Sequence, residues 1–317
     1  MTIEHQELLL VVQAAEQGSL AAAARSLDLE PPAVTKRLAA LERRLGVRLF
    51  HRTTRRLSLT DEGELFCGRA REVLARLSSL ESELQDSVGE ARGAIRLASS
   101  FGFGRRWVAP ALARFQQAHP RVELKLELME HLPDLASAGL DAAVWLWSPT
   151  RASSVARKLA SNRRVLVAAP AYAERHGVPA SPQELPQHAC LIVREHEARY
   201  ATWRLSPVNR PRATPVTVQV HGALSSNSGE VVRDWALAGH GIMLRSLWDV
   251  HPLLADGTLL QVLPGYAMLD ADVHWIAPPR TPGGAVPLRL RLLQDHLASS
   301  LADPPWLKPL PSARPRR

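Results

Sequence analysis

The stretch from Gly18 to Arg56 constrains this 317-residue chain more than any other. Residues 18–27 read Gly-Ser-Leu-Ala-Ala-Ala-Ala-Arg-Ser-Leu and predict a short Ala-rich helix from Leu20 to Leu27. Ser19 stands where its hydroxyl can satisfy a free amide at the helix start. A second helix is expected from Pro31 to Leu45, because proline suits a first turn and Gly46 suits a helix C-terminus. An Ala-rich helix lets a neighbour approach closely, so the second helix can project its opening turns outward. That is how a helix-turn-helix sets a recognition helix into the major groove of DNA.

The residues that follow fit the same picture. Val47 to Phe50 and Leu57 to Leu59 read as two short strands around His51-Arg52-Thr53-Thr54-Arg55-Arg56. Six arginines and no acid occur between Arg43 and Arg56, so the hairpin is a basic wing able to reach phosphates or a minor groove. Ser19, Pro32, Ala33, Thr35, Lys36 and Arg37 are the candidate contacts from the helices. Thr35 and Lys36 are best placed for base edges. Arg52, Thr53, Arg55 and Arg56 are the candidates for phosphates. The net charge of +8 and pI near 10.3 suit a polyanionic partner or an anionic ligand.

Thr60 and the acids Asp61 and Glu62 predict the start of a long helix. Phe66, Ala70, Val73, Leu77, Leu80 and Leu84 recur along it at heptad spacing, the mark of a seam with a partner helix. A homodimer through residues 61–89 is expected, matching the paired half-sites that two-fold DNA readers occupy. From residue 90 to 302 strands and helices alternate, which predicts an α/β region with mostly parallel sheets. Expected strands are 94–99, 122–129, 140–147, 164–169, 190–193, 216–221, 241–244 and 273–277. Expected helices are 106–119, 132–138, 228–238 and 288–301. So long a segment favours two lobes with a ligand cleft between them. Residues 303–317, rich in Pro and Arg, are expected to be disordered.

In such a cleft, Ser99, Ser100 and Phe101 at the end of the first strand and Ser225, Ser226 and Asn227 before a helix are the candidate effector contacts. Hydroxyls beside helix N-termini suit a carboxylate. Trp147 is a candidate aromatic wall or core residue.

Catalysis finds no footing. The 12 histidines show no HExxH spacing, His188-x-Cys190 lacks further ligands, and no phosphate loop or nucleophile elbow occurs. No enzyme activity, cofactor or metal is expected. Two distant cysteines, an acidic N-terminus and the lack of an 18-residue apolar run predict a cytoplasmic protein with no membrane span.

Leu27-Asp28-Leu29-Glu30-Pro31-Pro32-Ala33-Val34-Thr35-Lys36-Arg37-Leu38 and Leu41-Glu42-Arg43-Arg44-Leu45-Gly46-Val47-Arg48-Leu49-Phe50 resemble the signature of LysR-type transcriptional regulators. Arg52-Thr53 and Leu59-Thr60-Asp61-Glu62-Gly63 continue it. Phe103-Gly104-Arg105-Arg106 and Gly239-His240-Gly241-Ile242 look like the family's effector domain, so the resemblance spans nearly the whole chain. It implies a winged helix-turn-helix over residues 1–60, a dimerising linker helix over 61–89, and a two-lobed domain over 90–302 similar to type 2 periplasmic binding proteins. Such regulators are commonly tetramers that bend DNA and respond to a small molecule; the segment around Phe103 resembles a branch sensing small organic acids.

The chain departs from the family pattern twice. Glu30-Pro31 stands where members often carry Ser-Gln, which removes an amide able to read adenine and leaves base readout to Thr35, Lys36 and Arg37. Trp147 stands where relatives have small or polar residues. The competing reading is a small-molecule binding protein whose N-terminal domain serves only for dimerisation. An architectural DNA protein would need no elaborate α/β domain.

Overall fold

The computed structural model describes residues 3–52, 57–86, 90–147, 155–194, 201–279 and 286–309. The N-terminal domain opens with α1 (His5–Gln17), α2 (Leu20–Ser26) and α3 (Pro31–Leu45). In α3, Val34, Leu38 and Leu41 recur at i, i+4 and i+7 and are all buried. They join Leu10, Val11, Ala14, Ala23 and Ala24 in one apolar cluster, and the alanines keep α1, α2 and α3 close. Gly46 ends α3 at φ 73°, a left-handed conformation that any other residue would adopt at a cost.

Strands β1 (Phe50–Arg52) and β2 (Leu57–Leu59) then pair antiparallel, with Phe50 opposite Leu59. The first strand starts three residues later than its sequence pattern suggests. Beside that start, Glu42 Oε1 accepts from the amides of Leu49 (2.9 Å) and Phe50 (3.3 Å) and ties the entry of the hairpin to α3.

Thr60 starts α4 (Asp61–Asp86) by accepting from the Gly63 amide at 3.0 Å. The expected heptad seam divides along this helix. Phe66 and Ala70 belong to the N-terminal domain's own core, whereas Val73, Leu77 and Leu80 are exposed. The side chain of Leu84 lies outside the described residues.

Two five-stranded sheets make up the rest. The first comprises β3 (Gly93–Ser100), β4 (Val122–Met129), β5 (Ala142–Trp145) and β6 (Val155–Ala160), completed by β15 (Val273–Ala277), in the order β4-β3-β5-β15-β6. The second comprises β7 (Arg164–Ala168), β8 (Cys190–Val193), β11 (Ser225–Ser226), β12 (Ile242–Ser246) and β13 (Leu260–Val262), in the order β11-β8-β12-β7-β13. A smaller sheet of β9 (Thr202–Pro207), β10 (Val216–Gln219) and β14 (Tyr266–Ala267) sits beside the second. Strands β5 and β12 are buried at every position, as strands covered on both faces must be.

The sheets are mixed, not mostly parallel. Strand β3 runs parallel to β4 and β5, but β15 is antiparallel to both of its neighbours, and β7 likewise. The reason is connectivity. Both β7 and β15 are entered from the other lobe, not through the helical crossover that parallel neighbours require.

Helices cover the sheets. In the first lobe a helical segment starts at α5 (Phe101–Phe103), directly after β3, makes a π-helical turn at Gly104–Val108 and continues as α6 (Ala109–Ala118). It begins five residues before the position read from periodicity, because Gly102 and Gly104 resemble loop punctuation. In the second lobe, α7 (Pro170–His176), α8 (Gly229–Leu237) and α9 (Leu247–Ala255) flank the sheet, and α10 (Leu288–Ser300) returns to the first.

Two further expectations fail. Residues 132–138 form turns, not a helix: Pro133 sits near the start, and the segment closes on Gly139 at φ 66° after one i to i+4 bond, Ala138 to Asp134. Residues 303–309 are ordered, not disordered. Trp306, in the short turn Pro305–Leu307, is buried, donates to the Ser161 carbonyl at 3.0 Å and meets Trp107 edge-on at 4.7 Å. An indole with apolar neighbours and a partner for its N–H outweighs the Pro/Arg composition around it. The remainder of that segment, 310–317, lies outside the described residues.

Candidate functional site

Two places concentrate chemistry. The first is the outer face of α3. Its inner face is committed to the core, so Pro32, Thr35, Lys36 and Arg37 are exposed and Ala33 is half-buried. Lys36 is exposed and has no ion-pair partner among the described residues, while the Thr35 hydroxyl donates to the Pro31 carbonyl at 3.1 Å. Arg37 turns back to α1, donating to Gln6 Oε1 at 2.7 Å. Ser19 is occupied as the cap of α2, accepting from the Ala22 amide at 3.3 Å.

The base of the wing is fixed by Thr60, whose hydroxyl donates to the Arg48 carbonyl at 2.7 Å. Arg52 lies in β1 opposite Leu57. Thr53, Arg55 and Arg56 lie outside the described residues, as does the side chain of Arg52. An ion pair sequence reading missed ties the far end of α3 to α1: Arg44 donates to Glu7 at 2.6 Å. Burial raises the Glu7 carboxyl, but the Arg44 contact and the Glu4 amide outweigh it and hold the acid below its ordinary range.

The second place is a cleft of about 250 Å³ where the C-terminal ends of β3, β4 and β5 face the second lobe. Open α/β sheets bind ligands at such ends. The first lobe contributes Ser100, Phe101 and Gly102 after β3, Met129 and Glu130 after β4, and Leu146 with Trp147 after β5. The second contributes Asn227 to Glu230 at the start of α8, Arg245 from β12 and Trp248 from α9.

Of the sequence candidates, Ser100, Phe101, Trp147 and Asn227 line this cleft. The other three do not. Ser99 is fully buried and donates to the Val144 carbonyl at 2.9 Å, an internal strand-to-strand tie. Ser225 is exposed at the sheet edge, and Ser226 accepts from the Ser228 amide at 3.1 Å within its own turn. Trp147 is half-buried, meets Trp145 edge-on at 5.8 Å and carries the Arg164 guanidinium over its ring at 5.7 Å.

Arg245 is the residue that sequence reading missed. It is buried, with Nε donating to Asp249 Oδ2 at 2.7 Å and its guanidinium 5.6 Å over the Trp248 ring. Asp249 also accepts from Arg233 at 2.6 Å and lies 3.6 Å from Arg106, so one buried carboxylate faces three guanidinium groups. The surplus charge is positive. Gly229 is required beside it, since a Cβ there would fall 1.7 Å from Arg245 Nη1. The legible signal was an arginine in an otherwise apolar strand with an aspartate four residues on; the expected strand stopped at Leu244.

Among the described residues, three side-chain pairs cross the cleft. Arg105 pairs with Glu230, Arg106 reaches Asp249, and Asn227 donates to both Glu130 oxygens at 2.6 Å. Elsewhere, burial pushes the Cys190 thiol up to about 12, leaving almost no thiolate at neutral pH. Among the described residues no cluster could hold a metal ion, and no helix is long and apolar enough to cross a membrane.

A winged helix-turn-helix joined by a long helix to a two-lobed domain with a cleft between the lobes defines a DNA-binding regulator that carries its own ligand-binding domain. The chain belongs to the LysR family of transcriptional regulators. Residues 5–64 match the bacterial regulatory helix-turn-helix protein, lysR family, and residues 89–300 match the LysR substrate binding domain. It is 40% identical over 260 residues to the HTH-type transcriptional regulator DmlR of Escherichia coli K12, spanning 82% of this chain and 83% of that one. It is 37% identical over 262 residues to the HTH-type transcriptional activator TtdR of the same strain, spanning 83% of each. The structure of CrgA, a LysR-type regulator from Neisseria meningitidis, superposes with a TM-score of 0.58 at 29% identity over 96% of this chain and all of that one.

Proposed function

We propose that this regulator binds a small organic anion, a carboxylate, in the interlobe cleft and couples its occupancy to operator binding as a homodimer. The observation that carries the ligand class is Arg245, a buried guanidinium facing a cleft, with two more cations gathered on its aspartate. Thr35 and Lys36 read base edges, and Arg52, Thr53, Arg55 and Arg56 hold phosphates. The exposed stripe Val73, Leu77 and Leu80 on α4 supports pairing with a second copy, and two such dimers form the tetramer. The protein acts in the cytoplasm, where its DNA is, and catalyses no reaction.

A thermal-shift screen of the full chain against small carboxylates and their amides tests the ligand class, since a ligand of the native state raises the melting temperature. At least one acid should stabilise where its amide does not. Equal shifts from acids and amides would overturn the anion reading. A gel shift on the promoter beside its own gene tests the DNA function.

A further inference from the structure

We propose that the cleft selects a monocarboxylate with a planar apolar body, and that Glu130 is the residue that rejects dicarboxylates. The inference rests on the anion-receptor reading above and deepens it.

Among the described residues a single cation, Arg245, lines the cleft; Arg106 and Arg233 stand behind it on Asp249. Arg245 gives its Nε to Asp249, while its Nη2 lies toward the opposite lobe, 3.8 Å from where a Cβ on Gly102 would be. Two residues of the lining also carry a buried polar group without a hydrogen-bond partner, the Ser100 hydroxyl and the Trp248 indole N–H. Buried donors of this kind are costly to leave unmet, and the oxygens of one carboxylate would satisfy them together with the guanidinium. The floor is thus built for one anionic head.

The rest of the lining does not offer a second. Phe101 is half exposed, and with Trp147, Leu146 and Met129 it forms an aromatic and aliphatic wall on the first lobe. Such a wall suits a flat hydrocarbon body. Two acids complete the lining. Glu230 is neutralised by Arg105. Glu130 is different: its partner is the neutral amide of Asn227, and no cation among the described residues pairs with it. Its carboxyl group therefore stands beside the wall without an ion-pair partner among the described residues. A second carboxylate on the ligand would meet that acid on the wall, and a repulsion of this kind sets specificity.

The test is a titration of the full-length protein, read by tryptophan fluorescence because Trp147 and Trp248 line the cleft. The probes are 3-phenylpropionate, succinate and the neutral 3-phenylpropanol. The Kd for 3-phenylpropionate should lie at least about tenfold below those of the other two, the scale of one uncompensated like charge or one lost ion pair at a partly exposed site. Glu130→Gln keeps an acceptor for Asn227 and removes the charge. It should shift the monoacid-to-diacid ratio about tenfold toward succinate. Succinate binding to the unmodified protein as tightly as 3-phenylpropionate, or a ratio unmoved by Glu130→Gln, would overturn the selectivity while leaving the anion receptor standing. No saturable response to either acid would overturn both.

Discussion

Arg245 and Asp249 lie four residues apart, in β12 and α9, and join Nε to Oδ2 at 2.7 Å with both side chains buried. The pair places a permanent cation at the cleft floor and anchors it through a residue that also holds Arg233. Asp249→Ala would take the shared carboxylate from three guanidinium groups, one of them buried. Breaking a buried pair costs about 3–5 kcal/mol, because the surviving charge has no compensation. Urea unfolding followed by tryptophan fluorescence should show that loss, and Asp249→Asn, which keeps an acceptor, should lose less.

Arg52→Ala should weaken binding to operator and unrelated duplex alike. Removing one phosphate contact lowers the slope of log K against log salt by about one unit. Lys36→Ala, on the outer face of α3, should instead hurt operator binding more than binding to random sequence. An unchanged salt slope for the first variant would remove Arg52 from the phosphate contacts.

Leu77→Glu and Leu80→Glu change exposed positions of α4 that touch no core of this chain, so the fold should survive. If these residues meet a second copy, the double variant sediments as a smaller species and loses operator affinity. Sedimentation velocity at micromolar concentration decides it. An unchanged sedimentation coefficient would move the dimer seam elsewhere.

Glu7 carries a pH dependence whose sign is fixed by its depressed carboxyl. The folded state holds this proton less tightly than the unfolded chain, so the contribution is present above the ordinary glutamate range and is lost as pH falls through the folded-state value. Glu7→Gln should therefore melt earlier than the unmodified protein at pH 7, and the gap should close in acid. A gap independent of pH would assign the effect to packing.

The N-terminal domain was legible almost residue by residue because its constraints are local: Ser19 and Thr60 cap, Gly46 stops α3, and Val34, Leu38 and Leu41 repeat on one face. The seam on α4 was only half legible. Phe66 and Ala70 have the right spacing but face the domain's own core, and spacing alone does not say which chain supplies the neighbour. Within the cleft, Ser99 and Ser100 are adjacent and chemically identical, yet strand alternation sends the first into a bond with Val144 and leaves the second in the lining. Arg245 was hidden because its partner and its cleft neighbours come from three different elements. Trp306 was hidden by composition: a stretch rich in Pro and Arg carries one indole that finds Ser161, 145 residues earlier.

Strand β15 begins at Val273 and lies between β5 and β6, both far upstream. During synthesis, then, the reading head has its full sequence while the first lobe still lacks a middle strand. That lobe can close only after the second has been threaded out between its two halves. A growing chain therefore holds the whole N-terminal domain before the cleft between the lobes can form. A chain cut before Val273 would keep that domain whole and leave β5 and β6 without the strand that joins them.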